Sequence, residues 1–67
     1  MRLHIGGSKL RKVVTSLPAA EAKKLLLTLF PGELTLRQAE LIVEYPGETT
    51  VNGAYLTLPD SWDGLVQ

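Results

Sequence analysis

Proline and glycine divide this chain into short pieces, and any fold open to it must be assembled from those pieces. Gly6-Gly7, Pro18, Pro31-Gly32, Pro46-Gly47, Asn52-Gly53 and Pro59 recur through the 67 residues. Proline removes a backbone donor and fixes φ, and glycine opens left-handed backbone, so each of these sites ends an element or begins one. Apolar runs stop at three residues, as in Leu25–Leu27, against the ~20 that cross a bilayer. No repeat recurs often enough to build a solenoid.

Between the breakers the residues sort by period. Arg2-Leu3-His4-Ile5 alternates polar and apolar, the pattern of a short half-buried strand. Ser8 is suited to cap a helix over 9–17, in which Leu10, Val13, Val14 and Leu17 make one apolar stripe. The β-branched Val13, Val14 and Thr15 lower its intrinsic propensity, so packing must hold it. Ala19–Leu29 is the strongest helix, built from Ala, Lys and Leu, with Ala22, Leu25, Leu26 and Leu29 repeating the stripe. Pro31-Gly32 stops it, and the two helices are expected to form a corner or hairpin with both stripes inward.

Residues 33–45 admit two readings. As a strand, Ala39, Leu41, Val43 and Tyr45 share one face, and Leu-Ile-Val suits it. As a helix, Thr35 is the N-cap and Gln38 its N3 partner in a Thr-x-x-Gln capping box, with Leu34 and Ala39 in the staple positions. Arg37 and Glu40 then form an i, i+3 pair. The capping box decides for helix.

The last third reads as a hairpin. Asn52-Gly53 is expected at the two central positions of a type I′ turn between Thr49–Val51 and Ala54–Leu58. Tyr55 and Thr57 then point to one face, Leu56 and Leu58 to the other. Asp60 is expected to cap a final short turn containing Trp62. An isolated hairpin is only marginally stable, so the N-terminal strand is expected to pair with Ala54–Leu58. The expected fold is α+β, one domain over 1–67: a short N-terminal strand, two to three helices and a C-terminal β-hairpin forming a small antiparallel sheet. Its expected core is Leu3, Ile5, Leu10, Val13, Val14, Leu17, Leu25, Leu26, Leu29, Ile42, Val43, Leu56 and Leu58.

A chain of this length buries only ~60% of its unfolded surface, and with no cysteine it has neither a disulfide staple nor a thiolate metal site. Its stability must come from good local structure or from self-association. Cysteine-free composition and the absence of an apolar signal core after Met1 read as cytoplasmic.

Chemistry-bearing residues are scarce. His4 is the only histidine, and nothing in the spacing brings Ser8, Ser16 or Ser61 to it with a carboxylate. Asp60-x-x-Asp63-Gly64 lacks the alternating ligands of a calcium loop and reads as a turn. Gly6-Gly7-Ser8 could cradle a phosphate at a helix start, but neither the P-loop nor the dinucleotide pattern is present, and a plain connection is the simpler reading. No catalytic residue, cofactor or metal is expected.

What remains is the arrangement of charge. Arg2, Lys9, Arg11, Lys12, Lys23 and Lys24 lie in 1–32 against Glu21 alone. Glu33, Glu40, Glu44, Glu48, Asp60 and Asp63 lie in 33–67 against Arg37 alone, so the neutral chain is a +5 half joined to a −5 half. Such asymmetry points to interaction surfaces. The leading expectation is a non-enzymatic interaction or regulatory module that binds a protein partner or a second copy of itself. Its expected anchors are Phe30, Leu41, Tyr45, Tyr55 and Trp62, with positions 27, 30, 41 and 45 forming an exposed apolar patch; the competing role for Trp62 is to plug a core too small to seal otherwise. The alternative is a nucleic-acid-binding regulator. Three helices before a hairpin resemble a winged-helix or helix-turn-helix domain in element order, without any motif of that family. Glu40 and Glu44 would repel phosphate from the third helix, so contact would fall to Arg2, Lys9, Arg11, Lys12, Lys23 and Lys24. Those same residues also serve as the solvated faces of two amphipathic helices.

Overall fold

A computed structural model describes residues 1–6 and 9–66, with the backbone alone for Lys9 and Arg11. The elements in chain order are β1 (Arg2–His4), α1 (Lys9–Ser16), α2 (Ala19–Leu29), α3 (Leu36–Glu44), β2 (Thr50–Asn52) and β3 (Tyr55–Thr57). Single 3-10 turns follow α3 at Pro46–Glu48 and β3 at Asp60–Trp62. The strands form one antiparallel sheet in the order β1-β3-β2, and the helices cover one face of it. This is the expected α+β fold. The expected Ser8 cap and the Gly7-Ser8 part of the phosphate loop lie outside the described residues.

Residues 33–45 resolve as the helix, and the capping box is complete. Thr35 Oγ1 accepts from the Gln38 N–H at 3.2 Å, and Gln38 Oε1 accepts from the Thr35 N–H at 3.0 Å. Leu34 and Ala39, the staple pair, are both buried. The box also reaches beyond its own helix: Thr35 Oγ1 donates to the Leu65 carbonyl at 2.6 Å, and Gln38 Nε2 donates to the Trp62 carbonyl at 3.0 Å. These bonds hold the C-terminal segment against the start of α3 and keep Trp62 in the core, 8% exposed. Asp60 does not cap the last turn with its side chain; Pro59 precedes the turn, and Trp62 N–H donates to its carbonyl at 2.9 Å.

The buried stripe of α2 is rotated from the expected one. Ala22, Leu26 and Phe30 are buried, while Leu25 is half-buried and Leu29 is 47% exposed. The expected stripe assumed one neighbour, α1, whereas α2 packs more extensively on α3 than on α1. The line that satisfies both neighbours runs i, i+4, i+8. Phe30 turns inward where Pro31 and Gly32, at φ +80°, break the helix. The expected exposed patch at 27, 30, 41 and 45 therefore does not exist: Phe30 and Leu41 are buried, Leu27 packs on the core, and Tyr45 alone is exposed. On α1, Val14 is buried between part-buried Leu10 and Leu17, and Val13 faces solvent.

The hairpin turn sits one residue later than expected. Asn52 pairs with Tyr55, Val51 with Leu56 and Thr50 with Thr57, leaving Gly53-Ala54 as the two-residue loop. Gly53 has φ +62°, and no other residue type among those described has positive φ. Glycine first and negative φ second is the sign pattern of type II′, not I′. This register aligns Val51 with Leu56, and Leu56 with Leu3 on β1, giving one continuous apolar row over the helices.

Two outcomes follow. Gln38→Ala removes one side of the box, leaves the Thr35 N–H unpaired and leaves the Trp62 carbonyl only its 3.4 Å bond from the Leu65 N–H, lowering stability by roughly 1–2 kcal/mol in urea unfolding followed by Trp62 fluorescence. Gly53→Ala costs about 1–2 kcal/mol because an L side chain must adopt left-handed backbone, whereas Asn52→Ala costs less than about 0.5 kcal/mol; a type I′ turn would make both expensive.

Candidate functional site

The same pairing that builds the apolar row places a second row on the other side of the sheet. Side chains alternate along each strand, so with Leu3, Val51 and Leu56 inward, Arg2, His4, Thr50, Asn52, Tyr55 and Thr57 face away from the helices. Tyr55, on the central strand, stands between His4 and Asn52, and Thr57 between Arg2 and Thr50. His4 meets the Tyr55 ring edge to face, with centroids 5.2 Å apart and planes at 84°. Arg2 reaches diagonally across, its Cζ 4.6 Å from the Tyr55 centroid. Such a cation–π contact at an exposed site contributes about 0.5–1 kcal/mol. Its larger effect is to hold the guanidinium over the ring, and none of the ion pairs among the described residues involves Arg2.

The two sets of candidate residues are divided by the fold. Of the interface anchors, Phe30, Leu41 and Trp62 are buried at 6%, 8% and 8% exposure and present nothing to a partner. Phe30 and Leu41 were drawn in by the packing of α2 against α3, and Trp62 by the Thr35–Gln38 bonds. Tyr45 and Tyr55 are exposed. Tyr45 ends α3, its N–H bound to the Leu41 carbonyl, and lies apart from the sheet face. Of the basic residues, Arg2 lies on the outer sheet face, whereas Lys12 and Lys24 project from helices on the opposite layer. Lys23 is engaged, its Nζ 3.7 Å from Glu40 of α3, a carboxylate also 3.9 Å from Arg37. The side chains of Lys9 and Arg11 lie outside the described residues. The described members of the set thus do not share one strip.

His4 lies on the exposed face, as the alternation over Arg2–Ile5 predicts; its contact with Tyr55 is what that reading did not supply. The signal was present: Arg2-x-His4 and Tyr55-x-Thr57 alternate on strands that were expected to pair. Among the described residues no group of three His, Asp or Glu side chains could hold a metal. Ser16 donates to the Val13 carbonyl at 2.9 Å rather than to His4. The interior cavity bounded by Leu10, Val14, Leu26, Ile42 and Leu56 measures about 10 Å³, about the size of one water. What the site offers is therefore a surface, not a chamber. No protein-family model, curated protein or solved structure matches the chain.

Tyr55→Leu removes the ring that carries Arg2 and His4. The expected outcome is loss of ring-current shifts on the Arg2 side-chain protons by NMR, with stability changed by less than about 1 kcal/mol because all three groups are exposed.

Proposed function

We propose that this domain is a non-enzymatic interaction module that binds a protein partner through the outer face of its sheet. The observation that carries the reading is the Arg2–Tyr55–His4 cluster standing exposed at the centre of that face, flanked by Thr50, Asn52 and Thr57. Tyrosine and arginine are the residues that anchor protein interfaces most often, because each combines a large contact area with directed hydrogen bonding. Here the two are ordered against each other before any partner arrives, which lowers the entropic cost of binding. The surrounding hydroxyl and amide groups supply a polar rim.

Several features suit this role. No helix among the described residues is long and apolar enough to cross a membrane. The cysteine-free sequence suits a reducing compartment, and we place the module in the cytoplasm. A second copy as the partner belongs to the same reading. The nucleic-acid alternative has less support, because Arg2 is separated from the helical lysines by the sheet and Lys23 is taken up by Glu40.

The test is site-specific photo-crosslinking from Thr50, on the face, against Lys24, on the helical layer. Crosslinks from Thr50 to a discrete protein species, abolished by Tyr55→Ala or Arg2→Glu and absent from Lys24, are expected. Crosslinks from Lys24 alone overturn the reading. Binding of an oligonucleotide at low salt that is lost steeply on adding salt, and is indifferent to Tyr55→Ala, would replace it with the alternative.

A further inference from the structure

The edge of the sheet beside this face carries its own unsatisfied groups. Leu58 N–H donates to the Met1 carbonyl at 2.8 Å, and Ile5 N–H donates to the Ala54 carbonyl at 2.7 Å. Backbone groups alternate sides along a strand, so Met1, Leu3 and Ile5 face β3, and Arg2 and His4 turn both N–H and C=O outward from the free edge of β1. Next to this edge opens a groove of about 320 Å³ lined by His4, Ile5, Leu10, Leu29 and Phe30. His4 is common to both, so edge and groove are contiguous. Leu29, nearly half exposed, forms part of its wall.

Resting on the reading of this domain as a protein-binding module, we infer that the free edge of β1 and its groove take an extended segment of another protein, alternating apolar and acidic residues, as a fourth strand. Such a strand exchanges hydrogen bonds with the outward N–H and C=O groups of Arg2 and His4, the mode by which sheet edges capture peptides. Its side chains alternate between the two faces. Those on the helical side enter the groove against Ile5, Leu10 and Leu29, and those on the other side meet the Arg2 guanidinium.

Charge selects an acidic strand. The charged side chain at this edge is Arg2, and no acidic residue lines the groove. Glu21 sits in the first turn of α2, at the opposite end of that helix from Leu29. Arg2 has no carboxylate partner among the described ion pairs. The same charge disfavours a second copy on this edge, because edge-to-edge pairing would bring two Arg2 side chains onto one face of the joined sheet.

The test uses the ¹⁵N-labelled full chain and three blocked nine-residue peptides: alternating leucine and glutamate, alternating leucine and lysine, and the first with alternate backbone nitrogens methylated. The leucine–glutamate peptide is expected to shift the amide resonances of Arg2–Ile5, Leu29 and Phe30. Backbone methylation, or Leu29→Glu in the protein, is expected to weaken it by about tenfold or more. Leu29 is exposed enough for that variant to fold, which its spectrum reports directly. Absence of shifts at millimolar peptide, equal binding of the lysine peptide, or self-association broadening the β1 resonances without peptide each overturn the inference. Should the peptide fail while Thr50 still crosslinks, only the edge is lost and the face reading stands.

Discussion

The Thr35–Gln38 box is the joint on which the rest of the structure turns. A helix start leaves several backbone N–H groups without partners, and a capping box satisfies two of them reciprocally. Here the same two side chains are used twice. Thr35 Oγ1 takes the Gln38 N–H and gives its proton to Leu65, and the Gln38 amide takes the Thr35 N–H while donating to Trp62. Gln38 is almost fully buried, a setting in which an unpaired amide would cost several times what a satisfied one contributes. No described buried side-chain polar atom lacks a partner. With no cysteine available, this polar joint fills the place of a disulfide: it ties residues about 30 positions apart, and the entropy of closing a loop rises slowly with its length.

The sheet depends on that joint through the C-terminal segment. Trp62 seals the core beneath the apolar row of Leu3, Leu56 and Leu58, and Asp63 places its carboxylate 3.4 Å from the Met1 amino group at the start of β1. β1 is three residues long and pairs on one side only. Such a strand has little cooperativity of its own and is held by what surrounds it. Because the inner row is fixed by packing, the outer row is fixed too: strand alternation leaves Arg2, His4 and Tyr55 no other direction. The exposed cluster is thus positioned by burial on the opposite face, which is how a small domain can present an ordered surface without spending core residues on it.

What could be read from the sequence was local, and what could not was pairwise. The capping box, the staple, the boundaries of α2 and the pairing of the N-terminal strand with the second hairpin strand all depend on neighbours in sequence or on simple alternation. The burial of Phe30 and Leu41 does not. Each sits beside a helical stripe rather than on it, and only the placement of α2 between two other helices brings it inside. The hairpin turn shows the same boundary. Asn-Gly favours type I′ locally, but the one-step shift to Gly53-Ala54 lets Val51 oppose Leu56, and cross-strand packing outweighs the preference of one asparagine. The exposure of His4 followed from the alternation of its own strand, whereas its contact with Tyr55 depends on the register between two strands, which neither strand carries alone.

The sorting of charge along the chain acquires a physical meaning from this arrangement. Two of the three described ion pairs join the halves: Lys23 with Glu40 across α2 and α3, and the Met1 amino group with Asp63. Both are partly exposed, and pairs of this kind contribute about 0–1 kcal/mol each. Stability therefore does not explain why the signs are segregated. The pairs draw the two halves together at the helical layer and at the start of β1, and they leave Arg2 out. Arg2 lies instead on an aromatic ring, at an edge with open backbone groups, beside a groove built wholly from the positive half. Segregation of sign thus leaves one part of the surface with uncompensated positive charge next to unpaired hydrogen-bonding groups and apolar walls. That combination is the physical ground on which an extended, acidic and partly apolar strand is proposed as its occupant.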